Sequence, residues 1–184
     1  MGLLTFKGGI HPNDGKSLAK DKAIVEVLPE GDLVFPLSQH IGAPAAPIVK
    51  VGDQVLKGQK IAEAGGFVSA PVYSSVSGKV KAIAPYFTPT GGKVSSIIVE
   101  NDGAYTEAER LSTRPLEMLS KEEILNLIAE AGIVGMGGAG FPTRVKLSPK
   151  EPEKIEYVIA NCAECEPYIT ADYRRMMENP EDLV

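Results

Sequence analysis

Four glycines fall within six positions in the run Gly135-Met136-Gly137-Gly138-Ala139-Gly140-Phe141-Pro142-Thr143, and Lys146 follows three residues later. Backbone N–H groups with no Cβ beside them can approach an anion closely, and a neighbouring ammonium adds positive charge. That combination suits the phosphate of a bound cofactor. A second polar run, Asn161-Cys162-Ala163-Glu164-Cys165-Glu166-Pro167, comes about one structural element later. On an extended segment Glu164 and Glu166 point to the same side, which fits a polar pocket or an ordinary solvated face.

The glycine run is not a P-loop, because no Gly-Lys-Ser/Thr follows it. Gly135, Gly137 and Gly140 satisfy Gly-x-Gly-x-x-Gly, but the dinucleotide fingerprint must join a strand to a helix. Here a helix precedes the loop and Pro142 interrupts its far side. The pattern alone leaves both a ligand cradle and a tight structural turn open. Phe141 reads either as a core aromatic or as a stacking platform, and Lys146 either as a ligand contact or as an exposed residue before the Ser148-Pro149 turn. Cys162 and Cys165 admit packing, a redox pair or a partial metal site. The chain has only these two cysteines where a metal site normally takes four ligands, so no metal site is assigned. His11 and His40 sit beside loop residues and read as structural.

These groups need elements to hold them. Ser120 and Glu123 form a capping box, Ile124, Leu127 and Ile128 share a face, and Gly132 can end the helix in a left-handed conformation. After the glycine run, Ile155 to Ala160 has the composition of a buried strand, and Thr170 or Asp172 can cap a helix running toward Met177. Helix, glycine loop and strand in this order predict the opening of an α/β nucleotide-binding unit. Such a fold does not close in about 60 residues, so the chain reads as an N-terminal fragment.

Upstream the character changes. Residues 1 to about 46 are rich in Pro and Gly, with short strand candidates at Ala23 to Leu28 and Leu33 to Leu37. From Pro47 to Ile83, β-rich runs alternate with Gly-Asp and Lys-Gly turns, predicting a small all-β unit that Val94 to Glu100 completes. Asn101 to Pro115 reads as a linker or surface loop. The segment resembles the biotinyl/lipoyl carrier fold, with its "V-x-x-G-D-x-V-x-x-G-Q-x-I-A" and "S-G-x-V" patterns. The carrier lysine of that family stands eleven residues before the glycine matched by Gly78, a position occupied by Phe67. A phenyl ring cannot form the amide that carries biotin or lipoate, so a structural or docking module is the expectation.

Composition sets outer bounds. The 184 residues carry a formal net charge of −5 and are 43% apolar, enough for one large domain or two small ones. No run of about 18 apolar residues and no signal peptide is present, and cysteines are sparse, all of which predicts a cytoplasmic protein. The acidic balance argues against nucleic acid as a partner.

Taken together, the glycine loop with Lys146 and the Asn161-x-x-Glu164-x-Glu166-Pro167 segment resemble the flavin-binding subunit of respiratory complex I. Three further motifs narrow the match: "G-G-I-H-P" (Gly8 to Pro12), "P-L-x-Q-H-I-G-A-P" (Pro36 to Pro44) and "E-C-E-P-Y-x-T-A-D" (Glu164 to Asp172). With the carrier-like module, they make the chain similar to the RnfC family, the C subunits of Rnf electron-transport complexes, from about Gly8 to Met177. A cobalamin reductase of related organisation shares this plan.

The resemblance implies an α+β or α/β chain in two parts. Residues 1–115 would be a barrel-sandwich hybrid module with its core at 47–100, and 116–184 the truncated start of an FMN/NADH-binding domain. It implies that Gly135, Gly137, Gly138 and Lys146 approach FMN, that Asn161 and Glu164 hydrogen-bond it, and that Phe141 and Glu166 meet NADH. No general acid or base is asked of these residues, because hydride chemistry belongs to the flavin. Where the complex I subunit has an arginine and an aspartate, this chain has Met136 and Ala163. The family's cluster-binding Cys-x-x-Cys-x-x-Cys segments for [4Fe–4S] are absent from these residues. The implied role is electron transfer in an ion-translocating NAD:ferredoxin oxidoreductase, with other Rnf subunits as partners, ferredoxin indirectly, and the cytoplasmic face of the inner membrane reached only through partners. The other reading is a non-catalytic assembly or docking module.

Overall fold

The computed structural model describes residues 10, 12–89, 91–111, 114–136, 138 and 140–183. The chain divides into two compact units, Leu28–Lys154 and the pair of segments Met1–Val27 and Ile155–Val184.

The larger unit is built on antiparallel sheets. Strands β1 (Asp32–Pro36), β3 (Gln54–Val55), β6 (Gly78–Phe87) and β7 (Lys93–Asn101) form a four-stranded sheet in the order β1-β7-β6-β3. Strands β2 (Ala46–Pro47), β4 (Lys60–Glu63) and β5 (Val72–Tyr73) form a second sheet in the order β2-β4-β5. Side chains alternate across a strand, so Val80 of β6 turns inward while Lys79 and Lys81 face water. Phe35, Val55, Ile61, Val72, Val76, Val80, Ile97 and Val99 make one continuous core between the sheets. The strands expected near Leu33 to Leu37 and Val94 to Glu100 are β1 and β7, and the β-rich reading of Pro47 to Ile83 holds. Phe67 lies in the bend between β4 and β5, where a carrier domain would present its lysine. It is two-thirds exposed, with the Arg144 guanidinium 5.8 Å from its ring centroid.

After a loop, helix α1 (Lys121–Glu130) starts as expected. The Ser120 hydroxyl accepts from the Glu123 N–H at 3.3 Å, and the Glu123 carboxylate accepts from the Ser120 N–H at 2.8 Å. Gly132 then turns left-handed at φ 67°. A short helix α2 (Thr143–Lys146) follows the glycine loop.

In the smaller unit the main element is α3 (Ala171–Glu178), beginning after Thr170 as expected. Two strand expectations fail. Ala23 to Leu28 forms no strand; Val25 and Val27 are exposed, and the Ile24 N–H bonds to the Glu178 carboxylate at 3.0 Å instead of a sheet neighbour. Ile155 to Ala160 is likewise irregular, with Tyr157, Val158 and Ile159 exposed. A buried strand is defined by partners on its edges and faces, and this unit has no strand among its described residues to pair with. No helix among the described residues is long and apolar enough to cross a membrane.

Candidate functional site

The glycine loop is a closed projection from the larger unit. Its base is fastened by Gly135 N–H to the Phe141 carbonyl at 2.9 Å and Thr143 N–H to the Ile133 carbonyl at 3.1 Å, with Val134 and Pro142 paired as a single antiparallel bridge. The Gly135 amide is therefore committed to the loop itself. The amides of Met136, Gly138 and Gly140 have no hydrogen-bond partner among the described residues. Gly137 lies outside the described residues. Around Gly138 an added Cβ would meet nothing within 4 Å, so that side of the loop is open.

Gly140 is the point where the loop presses onto the β-module. It is buried at φ 61°, and a Cβ there would stand 2.7 Å from the Gln39 carbonyl and 3.2 Å from the His40 Cα. Only a residue without a side chain fits that conformation and that gap. The Pro36 to Pro44 motif is thus the bed of the loop. His40 fixes that bed: its ring Nε2 accepts from the Ala70 N–H at 3.1 Å while Nδ1 lies 3.0 Å from the Ile41 carbonyl, so the proton sits on Nδ1. Its structural reading stands; His11 falls outside the described residues.

Lys146 ends α2, exposed, and its ammonium has no ion-pair partner among the described residues. Phe141 is 39% exposed at the loop's exit. Among the described residues the exposed Met136 and Gly138 amides and the Lys146 ammonium are without partners, donor types of the kind an anionic phosphate takes, so the loop fits FMN phosphate on its chemistry.

Asn161, Glu164 and Glu166 belong to the smaller unit. The Asn161 side chain accepts from the Ala163 N–H at 3.1 Å, shaping the turn before Glu164. The Glu164 side chain is only 7% exposed; one oxygen accepts from the Asp172 N–H at 3.0 Å in the first turn of α3, and the other lies 3.7 Å from the Lys16 ammonium. Glu164, and not Thr170, supplies the acceptor at that helix start, since Thr170 makes no side-chain cap bond. The Glu166 carbonyl accepts from Lys16 at 3.2 Å. Cys162 and Cys165 are exposed free thiols, and no metal-binding cluster occurs among the described residues. Lys16 is the participant that sequence reasoning missed: no spacing rule ties it to residues about 150 positions away, and only its place in the Asn13-Asp14-Gly15-Lys16 turn marked a fixed orientation.

Residues 4–104 match the RnfC barrel sandwich hybrid domain. The chain belongs to the RnfC family. Residues 128–184 of this RnfC-family chain, which include the glycine loop, match the Nuo51 FMN-binding domain. It is 50% identical over 99% of its length to the C subunit of the proton-translocating ferredoxin:NAD(+) oxidoreductase complex of Clostridium ljungdahlii, and covers 40% of that protein. It is 44% identical over 98% of its length to the C subunit of the Na(+)-translocating ferredoxin:NAD(+) oxidoreductase complex of Acetobacterium woodii, covering 41% of it. The C subunit of an ion-translocating oxidoreductase complex of Haemophilus influenzae is 39% identical over 99% of the chain, which covers 28% of that protein. The RnfC-family chain thus spans well under half the length of these curated relatives.

Proposed function

We propose that this RnfC-family chain binds FMN and serves electron transfer between NAD(H) and ferredoxin within an Rnf-type, ion-translocating membrane complex. The observation that carries this reading is the glycine loop, whose Met136 and Gly138 amides and nearby-in-sequence Lys146 ammonium have no partner among the described residues, inside a segment matching a flavin-binding domain. Named relatives that are subunits of ferredoxin:NAD(+) oxidoreductase complexes support the same direction.

In this reading Gly135, Gly137 and Gly138 shape the phosphate cradle, and Lys146 neutralises phosphate charge. Asn161 and Glu164 contribute polar contacts to the flavin; Phe141 and Glu166 meet NADH. Bound FMN supplies the conversion between hydride and single-electron chemistry. The chain's own residues bind and orient. [4Fe–4S] clusters would be held by segments other than these residues, other Rnf subunits would be the direct partners, and the chain would sit peripherally on the cytoplasmic face of the membrane. The boundary between β-module and flavin domain is placed at 115/116.

The test is flavin fluorescence in the full-length protein. FMN fluorescence should be quenched on binding, and Lys146→Ala should weaken affinity about ten-fold, as expected when one charged phosphate contact is lost. A full-length protein that leaves FMN fluorescence unchanged would return the chain to the assembly-module reading.

A further inference from the structure

The N-terminal arm has no part in the function described so far, yet it is laid along the segment that carries Glu164 and Glu166. Within the smaller unit, Lys16 spends its ammonium on that segment alone: it donates to the Ile169 carbonyl at 2.6 Å and the Glu166 carbonyl at 3.2 Å, and it pairs with Glu164 at 3.7 Å. The Tyr168 N–H bonds to the Asp14 carbonyl at 2.5 Å. The Tyr168 ring lies so close to Gly15 that a Cβ there would overlap it. Further on, Arg174 donates to the Lys20 carbonyl at 3.1 Å and Glu178 accepts from the Ile24 N–H at 3.0 Å. The arm itself is pre-shaped, with the Asp14 and Asn13 side chains accepting from the Lys16 and Gly15 amides at 3.2 and 3.1 Å.

We propose that Lys16 is a positioning residue for the flavin site: by holding the Glu164 carboxylate and the 166–169 backbone, it sets the orientation in which this edge meets FMN. This rests on the reading above, in which Asn161 and Glu164 face the flavin. Glu164 decides the argument. A carboxylate whose side chain is only 7% exposed needs protein partners in place of the water it has lost. Here the Asp172 N–H donates to one oxygen at 3.0 Å, and the Lys16 ammonium stands 3.7 Å from the other as its ion-pair partner. Remove Lys16 and Glu164 must turn outward or swing toward α3, and the two carbonyls that Lys16 gathers lose their common donor. The groove of about 540 Å³ beside it, lined by Lys16, Cys162, Glu164, Thr170, Tyr173 and Met176, changes shape with that carboxylate.

The experiment compares Lys16→Met, Lys16→Arg and the unsubstituted full-length protein, reading FMN affinity by fluorescence and backbone exchange at the Tyr168 and Asp172 amides. Lys16→Met should speed exchange at both amides at least several-fold and weaken FMN binding about ten-fold, with the sheet amides of β6 and β7 unchanged. Lys16→Arg, which restores charge and donors, should recover most of both effects. Unchanged exchange in Lys16→Met overturns the clamp; faster exchange with undiminished FMN affinity overturns its role at the flavin. Failure of Lys16→Arg to recover either readout also counts against it. If the unsubstituted protein binds no FMN, the functional reading itself falls and takes the inference with it, whereas normal binding alongside an indifferent Lys16→Met removes the inference alone.

Discussion

The β-module and the helix-loop segment resting on it (120–147) are held by different forces. In the module, Val55, Ile61, Val76, Val80, Ile97 and Val99 are almost completely removed from water. Apolar burial of that kind contributes about 25 cal/mol per Å² and, unlike an ion pair, is neither titrated by pH nor screened by salt. In the segment, neither α1 nor α2 buries a residue. It rests on half-buried apolar residues of α1, Ile124, Leu127 and Ile128, and on polar ties that include Lys60 to Glu130 at 2.6 Å, the Tyr73 hydroxyl to the Glu130 carbonyl and Arg114 to Glu123 at 2.6 Å, with the close seat of Gly140 on Gln39. The Glu130 hydrogen bond raises the Lys60 pKa against a smaller opposing effect of burial, so Lys60 stays protonated at neutral pH. Exposed ion pairs of this type contribute about 0 to 1 kcal/mol each. The difference teaches that the module is a rigid platform, while the groups suited to a phosphate ride on a segment of low local stability, where ligand-binding loops are commonly found.

The strongest way to break this contrast is in the core. Ile97→Ala removes a fully buried side chain from β7 and should cost the module about 2 to 5 kcal/mol, read as a lower urea midpoint. A loss below about 1 kcal/mol would show that the sheet is not carried by this core. Gly140→Ala addresses the joint between the two regions. It forces φ 61° on a residue with a side chain and sets a Cβ against the Gln39 carbonyl, at a cost of about 1 to 3 kcal/mol. The expected signature is local: faster exchange of the Gly135 and Thr143 amides, which close the loop, with Ile97 and Val99 still protected. Equal loss in loop and sheet would make platform and segment one cooperative unit and erase the distinction.

The same contrast explains what the sequence made legible. β7 and the paired runs from Pro47 to Ile83 were readable because alternation and turn residues are local signals that the core then reinforces. The capping box at Ser120 was readable because both of its bonds span only three residues. Phe67 could be set aside as a carrier site from its chemistry alone. Ile155 to Ala160 misled for the converse reason. Its composition describes a strand's interior, but a strand exists only with neighbours, and among the described residues of its unit it has none. The seat of Gly140 on Gln39 and the grip of Lys16 on Glu164 join residues about 100 and 150 positions apart, and no periodicity records such a meeting. The residue types proposed for the site can be picked out from the sequence, while the groups that hold them cannot.

The mildest test sharpens the account of the segment. The Arg114 guanidinium, and after it the Ser120 N–H and hydroxyl, hold the Glu123 carboxyl down at about 2 from its ordinary 4.5. A carboxylate with a depressed folded-state pKa stabilises the fold above its unfolded pKa, and that contribution fades as pH falls through the interval between the two values. The start of α1 should therefore fray between about pH 4.5 and pH 2, seen as movement of the Ser120 and Glu123 amide signals, before the sheet responds. Because the Glu123 side chain remains 44% open to solvent, the effect should be the smallest of the three and should shrink with added salt. Glu123→Gln should remove the pH response of α1 across that interval. If Glu123 instead titrates at its ordinary value, the Arg114 and Ser120 contacts are not persistently formed, and the segment is held to the platform by even less than the ties named above.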